Sequence, residues 1–161
     1  MRRVVGVSIA CVFLVLGACG GGGSDNKTLD ASFSRFNGSK ASIRDYRGKP
    51  VVVNFFSSTC VPCQTEMPAL EQVHRKAGAK VAFLGLDVQD TVPSGQAFVE
   101  SVGVTWDMGL DPDASILQSL GGTALPTTVL LDANGKIVYQ HLGALDVDDL
   151  DQQLRQHGFI T

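Results

Sequence analysis

Cys60 and Cys63, separated by two residues, are the side chains of this sequence best suited to chemistry. They follow an apolar run from Val51 to Phe56, typical of a buried strand, and the small polar residues 57–59 end that run. A helical pattern begins at Cys60. Free backbone N–H groups and the dipole at the start of a helix stabilise a thiolate, and only the thiolate attacks a disulfide. The pattern therefore predicts a reactive Cys-x-x-Cys pair at the N-terminus of a helix.

Two other functions for a cysteine pair have less support in the sequence. A zinc site needs two further Cys or His ligands, and the three histidines are scattered without ligand spacing. The thiol peroxidase pattern Pro-x-x-x-Thr-x-x-Cys is missing, since Phe55 and Phe56 stand where its proline would be sought. We therefore expect no metal site, and we keep a thiol peroxidase and a thiolate metal carrier as alternatives to disulfide exchange.

The N-terminus is typical of a bacterial export signal. Two arginines precede an apolar run of 13 residues, Val4 to Leu16, which is short for a membrane span. The tetrad Leu16-Gly17-Ala18-Cys19 resembles a lipobox, at which a lipoprotein precursor is cleaved and lipidated. This predicts a signal peptide over residues 1–18 and a lipid anchor on Cys19. An uncleaved transmembrane anchor is the alternative, and both would export the rest of the chain.

Composition predicts one globular domain after this leader. The chain has 161 residues, of which 44% are hydrophobic, and this is enough for a proper core. Cys19 and a flexible glycine-rich tether would take residues 19–30, and the domain residues 31–161. The glycine run is no phosphate loop, because no strand precedes it and no helix follows, so we expect no cofactor. The net charge of −3 argues against a nucleic-acid surface.

Cysteine usage points to a reactive pair rather than a structural bridge. Of the four cysteines, Cys11 lies in the predicted leader and Cys19 at the predicted lipid site. Only Cys60 and Cys63 remain in the exported domain, so a disulfide framework is excluded.

Apolar periodicity predicts alternating strands and helices around this pair. A hairpin with a tight turn at Asn37-Gly38 comes first. His74 is expected at the surface, on the polar face of the helix that follows the cysteines. Trp106 is expected in the core or at its rim, with a client contact as the alternative. After Cys63 we predict, in chain order, a helix ending near Gly78, strand 81–88, helix 94–102, helix 114–120 capped by Asp113, strands 127–132 and 137–142, and helix 146–157.

Five segments together resemble a known family. They are Val51-Val52-Val53-Asn54-Phe55-Phe56, Cys60-Val61-Pro62-Cys63, Glu66-Met67-Pro68, Leu125-Pro126-Thr127-Thr128 and Asp132-Ala133-Asn134-Gly135-Lys136-Ile137-Val138. Over roughly residues 30 to 158 the chain resembles the thioredoxin-like superfamily and, within it, the TlpA/ResA-like membrane-anchored thiol:disulfide oxidoreductases. The resemblance implies an α/β thioredoxin-like fold, with a central mixed β-sheet flanked by helices and an N-terminal β-hairpin extension.

The resemblance also implies roles around the cysteines. Cys60 would be the attacking thiol and Cys63 the buried resolving thiol, and the two would form a redox-active disulfide. Val61 and Pro62 between them would tune the redox potential and contact the substrate. Thr59 stands where such proteins usually carry Trp. This departure removes an aromatic lid from the expected substrate surface.

Four further site residues are predicted, from the resemblance and from their positions in the chain. Pro126 would be a cis-proline facing the disulfide, and Leu125 would offer backbone groups to an extended client strand. Glu66, one helical turn beyond Cys63, would line the active-site cavity and accept a thiol proton; a solvated helix residue is the alternative. Asp87, at the end of a central strand, is a weaker candidate for the border of the site.

Disulfide exchange with extracytoplasmic protein clients is the function that the resemblance implies. Reduction of apocytochrome c cysteines is one such duty, and oxidation of secreted-protein thiols is the same chemistry in reverse. The expected partners are proteins with exposed thiols or disulfides and a transmembrane thiol electron donor. The lipid anchor would hold a monomer at the outer face of the cytoplasmic membrane. The sequence leaves the direction of electron flow and the clients open.

Overall fold

The computed structural model describes residues 29–161. The predicted signal peptide, Cys19 and nearly all of the tether lie outside these residues. Within the described range, none of the helices combines the length and the apolar character that crossing a membrane requires.

Seven strands and four α-helices make up the described part of the chain. The strands are β1 (Ser32–Arg35), β2 (Lys40–Ser42), β3 (Val51–Phe56), β4 (Ala82–Val88), β5 (Asp107–Asp111), β6 (Thr127–Leu131) and β7 (Ile137–Leu142). The helices are α1 (Val61–Ala77), α2 (Val92–Val102), α3 (Ser115–Ser119) and α4 (Val147–Gln156), with short 3₁₀ turns at Ile43–Tyr46 and Gly78–Lys80.

All seven strands form one mixed sheet in the order β2-β1-β5-β4-β3-β6-β7. Strands β3, β4 and β5 are parallel, β6 and β7 run antiparallel beside β3, and the β1/β2 hairpin pairs antiparallel with β5. This arrangement confirms the expected α/β fold, with a central mixed sheet flanked by helices and an N-terminal β-hairpin. The C-terminal ends of β3 and β4 and the start of β6 therefore meet at one edge of the sheet.

Strand β3 lies at the centre because both of its faces are covered. All six of its residues are buried, as the continuous apolar run Val51–Phe56 requires. One face packs under α1, α2 and α4, in a core that includes Phe56 and Cys63. The other face packs under α3 and the first 3₁₀ turn. The strand thus fixes the position from which the cysteine turn leaves the sheet.

Strand β5 was not predicted. Its sequence, Asp-Met-Gly-Leu-Asp, has acidic ends and a central glycine, and these residues are poor strand formers. Tertiary packing overrides this preference: Met108 and Gly109 are buried, and a Cβ at Gly109 would collide with the ring of Phe33 on β1. The glycine is therefore needed for the hairpin to approach the sheet.

The predicted cap of α3 was wrong. The helix begins after Ala114, which has a left-handed φ of 58°, so Ala114 and not Asp113 is the N-cap; the Asp113 carboxylate accepts the N–H of Ser115 at 3.2 Å. The buried carboxylate of Asp111 instead accepts the N–H groups of Ile116 and Leu117, at 3.2 and 2.8 Å. A residue at the end of β5 thus supplies the acceptors for the helix start.

His74 is not a simple surface residue, contrary to the prediction. Its ring contacts those of Phe83 and Trp106, with centroid distances of 5.0 and 5.7 Å, and its side chain is only 25% exposed. Its Nδ1 lies 3.4 Å from a carboxylate oxygen of Glu71. Trp106 is buried, as predicted.

Candidate active site

The cysteine pair lies where β3 gives way to α1. Cys60 is the N-cap of α1 with an extended backbone, φ −82° and ψ 100°, and no side chain caps the helix. The Cys63 N–H donates to the Cys60 carbonyl at 3.1 Å. The two residues form a disulfide with a Cα–Cα distance of 5.3 Å. The first sulfur therefore sits at an uncapped helix N-terminus, where an anion is favoured.

The two cysteines differ in exposure. Cys63 is fully buried, whereas Cys60 is only partly buried. The residues around Cys60 form an open surface: Thr59, Val61 and Pro62 are all exposed, and Val61 is 71% exposed although it is a large apolar residue. A client could thus approach the first sulfur and not the second.

Backbone N–H groups donate the hydrogen bonds that hold the turn carrying Cys60. Its N–H donates to the Ser57 carbonyl at 3.1 Å. The Ser58 N–H donates to the Asp90 carboxylate at 2.9 Å, and this carboxylate also accepts the Thr91 N–H at 2.7 Å. These bonds hold the pKa of Asp90 below its usual value against the opposing effect of partial burial. Asp90, which the sequence analysis missed, therefore ties the turn to the start of α2.

The segment Leu125-Pro126 lies beside this turn. Thr127 pairs with Phe55 in the sheet, which places Pro126 next to the end of β3. The Leu125–Pro126 peptide bond is cis, as the resemblance implied. The Pro126 carbonyl accepts the Gly143 N–H at 2.9 Å. Leu125 is partly exposed and precedes the first paired residue of β6, so its backbone lies outside the ladder.

Glu66 lies beneath the disulfide turn rather than in solvent. It is one helical turn after Cys63 and only 1% exposed. Three donors reach its carboxylate from three other elements: the Asn54 amide at 3.0 Å, the Leu145 N–H at 3.1 Å and the Thr128 hydroxyl at 3.4 Å. A cleft of about 220 Å³ lies beside it and is lined by Thr65, Glu66, Ala69, Ala144, Leu145, Asp146 and Asp149.

Burial raises the pKa of Glu66 to about 7, and the hydrogen bonds from Leu145, Asn54 and Thr128 oppose this rise. A carboxyl group with a pKa near neutrality exchanges its proton readily in the range in which thiols ionise. Glu66 is therefore suited to receive a proton from, or return it to, a group on the same side of α1.

The structure brings together most of the predicted site residues. Thr59, Cys60, Val61 and Pro62 share one turn, Leu125 and Pro126 lie at the adjacent strand end, and Cys63 and Glu66 lie beneath. Sequence analysis missed the partners of Glu66. The signal was a polar residue, Asn54, within an otherwise apolar buried strand, since such a residue needs a hydrogen-bond partner.

Solved structures with this fold define the class of protein. A structure of MTB dsbF in its mixed oxidised and reduced forms matches with a TM-score of 0.74 and 28% identity, over 80% of this chain and 96% of that one. A secreted Mycobacterium tuberculosis disulfide oxidoreductase homologous to E. coli DsbE matches with a TM-score of 0.72 and 25% identity, over 81% and 98% of the two chains. With its Cys60–Cys63 disulfide, the chain is a thioredoxin-like thiol-disulfide oxidoreductase.

The sequence assigns it to a family within that class. The Redoxin profile matches residues 24–154, and the chain belongs to the Redoxin family. Thiol-disulfide oxidoreductase ResA of Geobacillus thermodenitrificans (strain NG80-2) is 32% identical over 128 residues, which cover 78% of this chain and 72% of the relative. ResA of Bacillus thuringiensis (strain Al Hakam) is 32% identical over 120 residues, which cover 74% and 69%.

Proposed function

We propose that this protein is an extracytoplasmic enzyme that reduces disulfides in protein clients, with apocytochrome c cysteines as its candidate substrate. The observation that carries the proposal is the exposure difference between Cys60, at an uncapped helix start, and the fully buried Cys63. This difference suits a reaction in which one sulfur meets the client and the other completes the exchange.

The reaction proceeds in two thiol-disulfide exchanges. The Cys60 thiolate attacks one sulfur of a client disulfide, which forms a mixed disulfide and releases the other client sulfur as a thiolate. Cys63 then loses its proton, for which Glu66 is the acceptor, and its thiolate attacks the Cys60 sulfur. The client leaves with two thiols, and the enzyme keeps the Cys60–Cys63 disulfide. A membrane thiol donor returns two electrons to this disulfide, and the opposite direction would oxidise client thiols.

Client binding uses the exposed surface around the first sulfur. Leu125 lies outside the β6 ladder, so its backbone groups are placed to pair with an extended client segment. Val61, between the two cysteines in the chain, offers an exposed apolar contact next to Pro62. Thr59 is small and exposed, which leaves this surface open to bulky clients.

The direction of electron flow is tested with purified protein. Reduced enzyme is mixed with an oxidised Cys-x-x-Cys-His peptide, and oxidised enzyme with an unfolded protein whose thiols are reduced. We expect rapid reduction of the peptide and slow oxidation of the unfolded protein, measured by mass spectrometry after acid quenching. Cys60→Ser is the control and should do neither. Faster oxidation than reduction would overturn the reductase assignment and favour oxidative folding.

Membrane attachment through Cys19 belongs to the same proposal. In this proposal, residues 1–18 are a signal peptide, residues 19–30 are a lipidated tether, and residues 31–161 form a monomeric domain outside the cytoplasmic membrane. Two acyl chains hold a protein stably on a bilayer, whereas one does so only marginally. The supporting observation is the Leu16-to-Cys19 tetrad followed by glycines.

Cys19→Ala should release the protein from the membrane. Without a lipidated cysteine the chain loses its acyl chains, so we expect its membrane fraction to fall by about tenfold or more after cell fractionation. Cys11→Ala, a change within the predicted signal peptide, is the matched control and should stay attached. A Cys19→Ala protein that remains as membrane-bound as the parent would favour an uncleaved transmembrane anchor.

A further inference from the structure

The carboxyl group of Asp87 is buried without a hydrogen-bond partner. It lies at the end of β4 and is 0% exposed, and neither oxygen has a partner among residues 29–161. A buried polar group in this condition carries a cost, and native proteins leave few such groups. The redox reaction does not explain why the fold keeps this carboxyl group buried without a partner.

Making room for this carboxyl group costs further stability, because it requires a glycine inside a helix. Gly95 lies inside α2, where glycine is less favourable than alanine by about 1 kcal/mol. A Cβ at Gly95 would collide with an oxygen of Asp87 and with the ring of Phe36. The glycine is therefore tied to the presence of the acid beneath it.

Among residues 29–161, one charged group acts on Asp87. The neighbours of Asp87 across the sheet are Phe56 on β3 and Leu110 on β5, and Gly95 of α2 packs against its carboxyl group, with the ring of Phe36 also close to Gly95. None of these can titrate. The charged group is Asp90, whose negative charge adds to the effect of burial and raises the pKa of Asp87 to about 7. The two carboxyl groups therefore oppose each other's ionisation.

Asp90 is the residue that holds the redox turn, residues 57–60, which carries Cys60. Its carboxylate accepts the N–H of Ser58, two residues before Cys60, and also the N–H of Thr91. These two hydrogen bonds favour the ionised form of the carboxyl group. A second negative charge on Asp87 would repel this carboxylate. Asp87 thus connects to Cys60 through Asp90 and Ser58.

We propose that Asp87 is a positioning residue for the redox turn: while it holds a proton, Asp90 binds the Ser58 N–H, and loss of that proton loosens the turn that carries Cys60. The enzyme thereby has a second pH dependence, separate from proton transfer at Glu66. The proposal rests on the redox role of the turn, but its structural step can be measured without catalysis.

The first test follows the Ser58 amide of the oxidised full chain by NMR as the pH is raised. In the parent, the amide shift should titrate near pH 7, and its protection from hydrogen exchange should fall by about tenfold between about pH 6 and pH 8. In Asp87→Asn, which keeps the volume of the side chain and stays neutral, both changes should vanish. Glu66→Gln is the matched control and should keep them. A Ser58 titration that persists in Asp87→Asn would overturn the proposal.

The second test uses Asp90→Asn and does not depend on the stability of Asp87→Asn. Removing the opposing charge should move the Asp87 carboxyl titration, followed by its ¹³C shift, to lower pH by about half a unit or more. An unchanged titration of Asp87 would contradict the coupling of the two groups.

Exchange rates provide the functional measurement. Asp87→Asn and the parent should react with oxidised glutathione at equal rates near pH 6, and the variant should be about threefold faster near pH 8, where the parent turn has loosened. Equal rates at both pH values would overturn the positioning role. A client assay that fails while the NMR result holds would instead count against the proposed function.

Discussion

Cys63→Ser should accumulate mixed disulfides between Cys60 and protein clients, whereas Cys60→Ser should accumulate few. Cys60 is partly exposed at the start of α1 and Cys63 is fully buried, so only the first sulfur is reachable from outside. Resolution of the mixed disulfide is intramolecular, and well-oriented intramolecular steps gain effective concentrations of about 10⁵ M or more. Its loss should therefore extend the life of the trapped species by about a thousandfold or more.

The trapped species can be counted on non-reducing gels of envelope fractions and identified by mass spectrometry. The double variant Cys60→Ser/Cys63→Ser is the control and should trap none. Cytochrome c precursors among the trapped proteins would support reductase duty, and a broad set of secreted proteins would support oxidative folding. Equal trapping by the two single variants would show that the roles assigned to the two sulfurs are wrong.

The redox turn was predictable because its signals are local. The buried strand, the small polar run and the Cys-x-x-Cys pair occupy the continuous segment 51–63, and the structure has β3, the turn and α1 in that order. The hairpin turn at Asn37-Gly38 was predictable for the same reason, since Gly38 takes a φ of 84° that glycine adopts without strain.

Strand β5 and the environment of Glu66 were not predictable in this way. Asp107–Asp111 becomes a strand only because β4 and the hairpin lie on either side of it. The three donors to Glu66 lie 12, 62 and 79 residues away in sequence, and no local pattern brings them together. The burial and the pKa of Glu66 depend on such distant contacts, whereas the residue types that carry the chemistry can be read directly from the sequence.

The same distinction applies to the two buried acids. Glu66 was singled out because it follows Cys63 by one turn, and its near-complete burial appears only in the folded chain. Asp87 was a weak candidate because its link to the redox turn runs through Asp90, on a loop that begins a different helix. Positioning residues of this kind act through intermediates and leave little trace in a single sequence.

Glu66→Gln should lower the apparent thiol pKa values of the reduced enzyme by about one unit. In the parent, an ionised Glu66 one turn from Cys63 opposes formation of the thiolate, and glutamine removes that charge. Below the thiol pKa, one unit corresponds to about tenfold more thiolate. The variant should therefore react faster with an alkylating reagent above about pH 7, where Glu66 of the parent is ionised, and at nearly the same rate near pH 6, where it is mostly protonated. Glu100→Gln removes an exposed charge on α2 and should leave the profile unchanged.

Stability provides an independent measurement of the same group. The folded-state pKa of Glu66, about 7, lies above the ordinary glutamate value of 4.5, so the folded protein binds this proton more tightly. The resulting stabilisation is full below about pH 4.5 and is lost as the pH rises through about 7, a change of about 3 kcal/mol. In Glu66→Gln, denaturant unfolding of the oxidised protein should lose this part of the pH dependence. Unchanged thiol titration together with an unchanged stability profile would show that Glu66 does not titrate in this range.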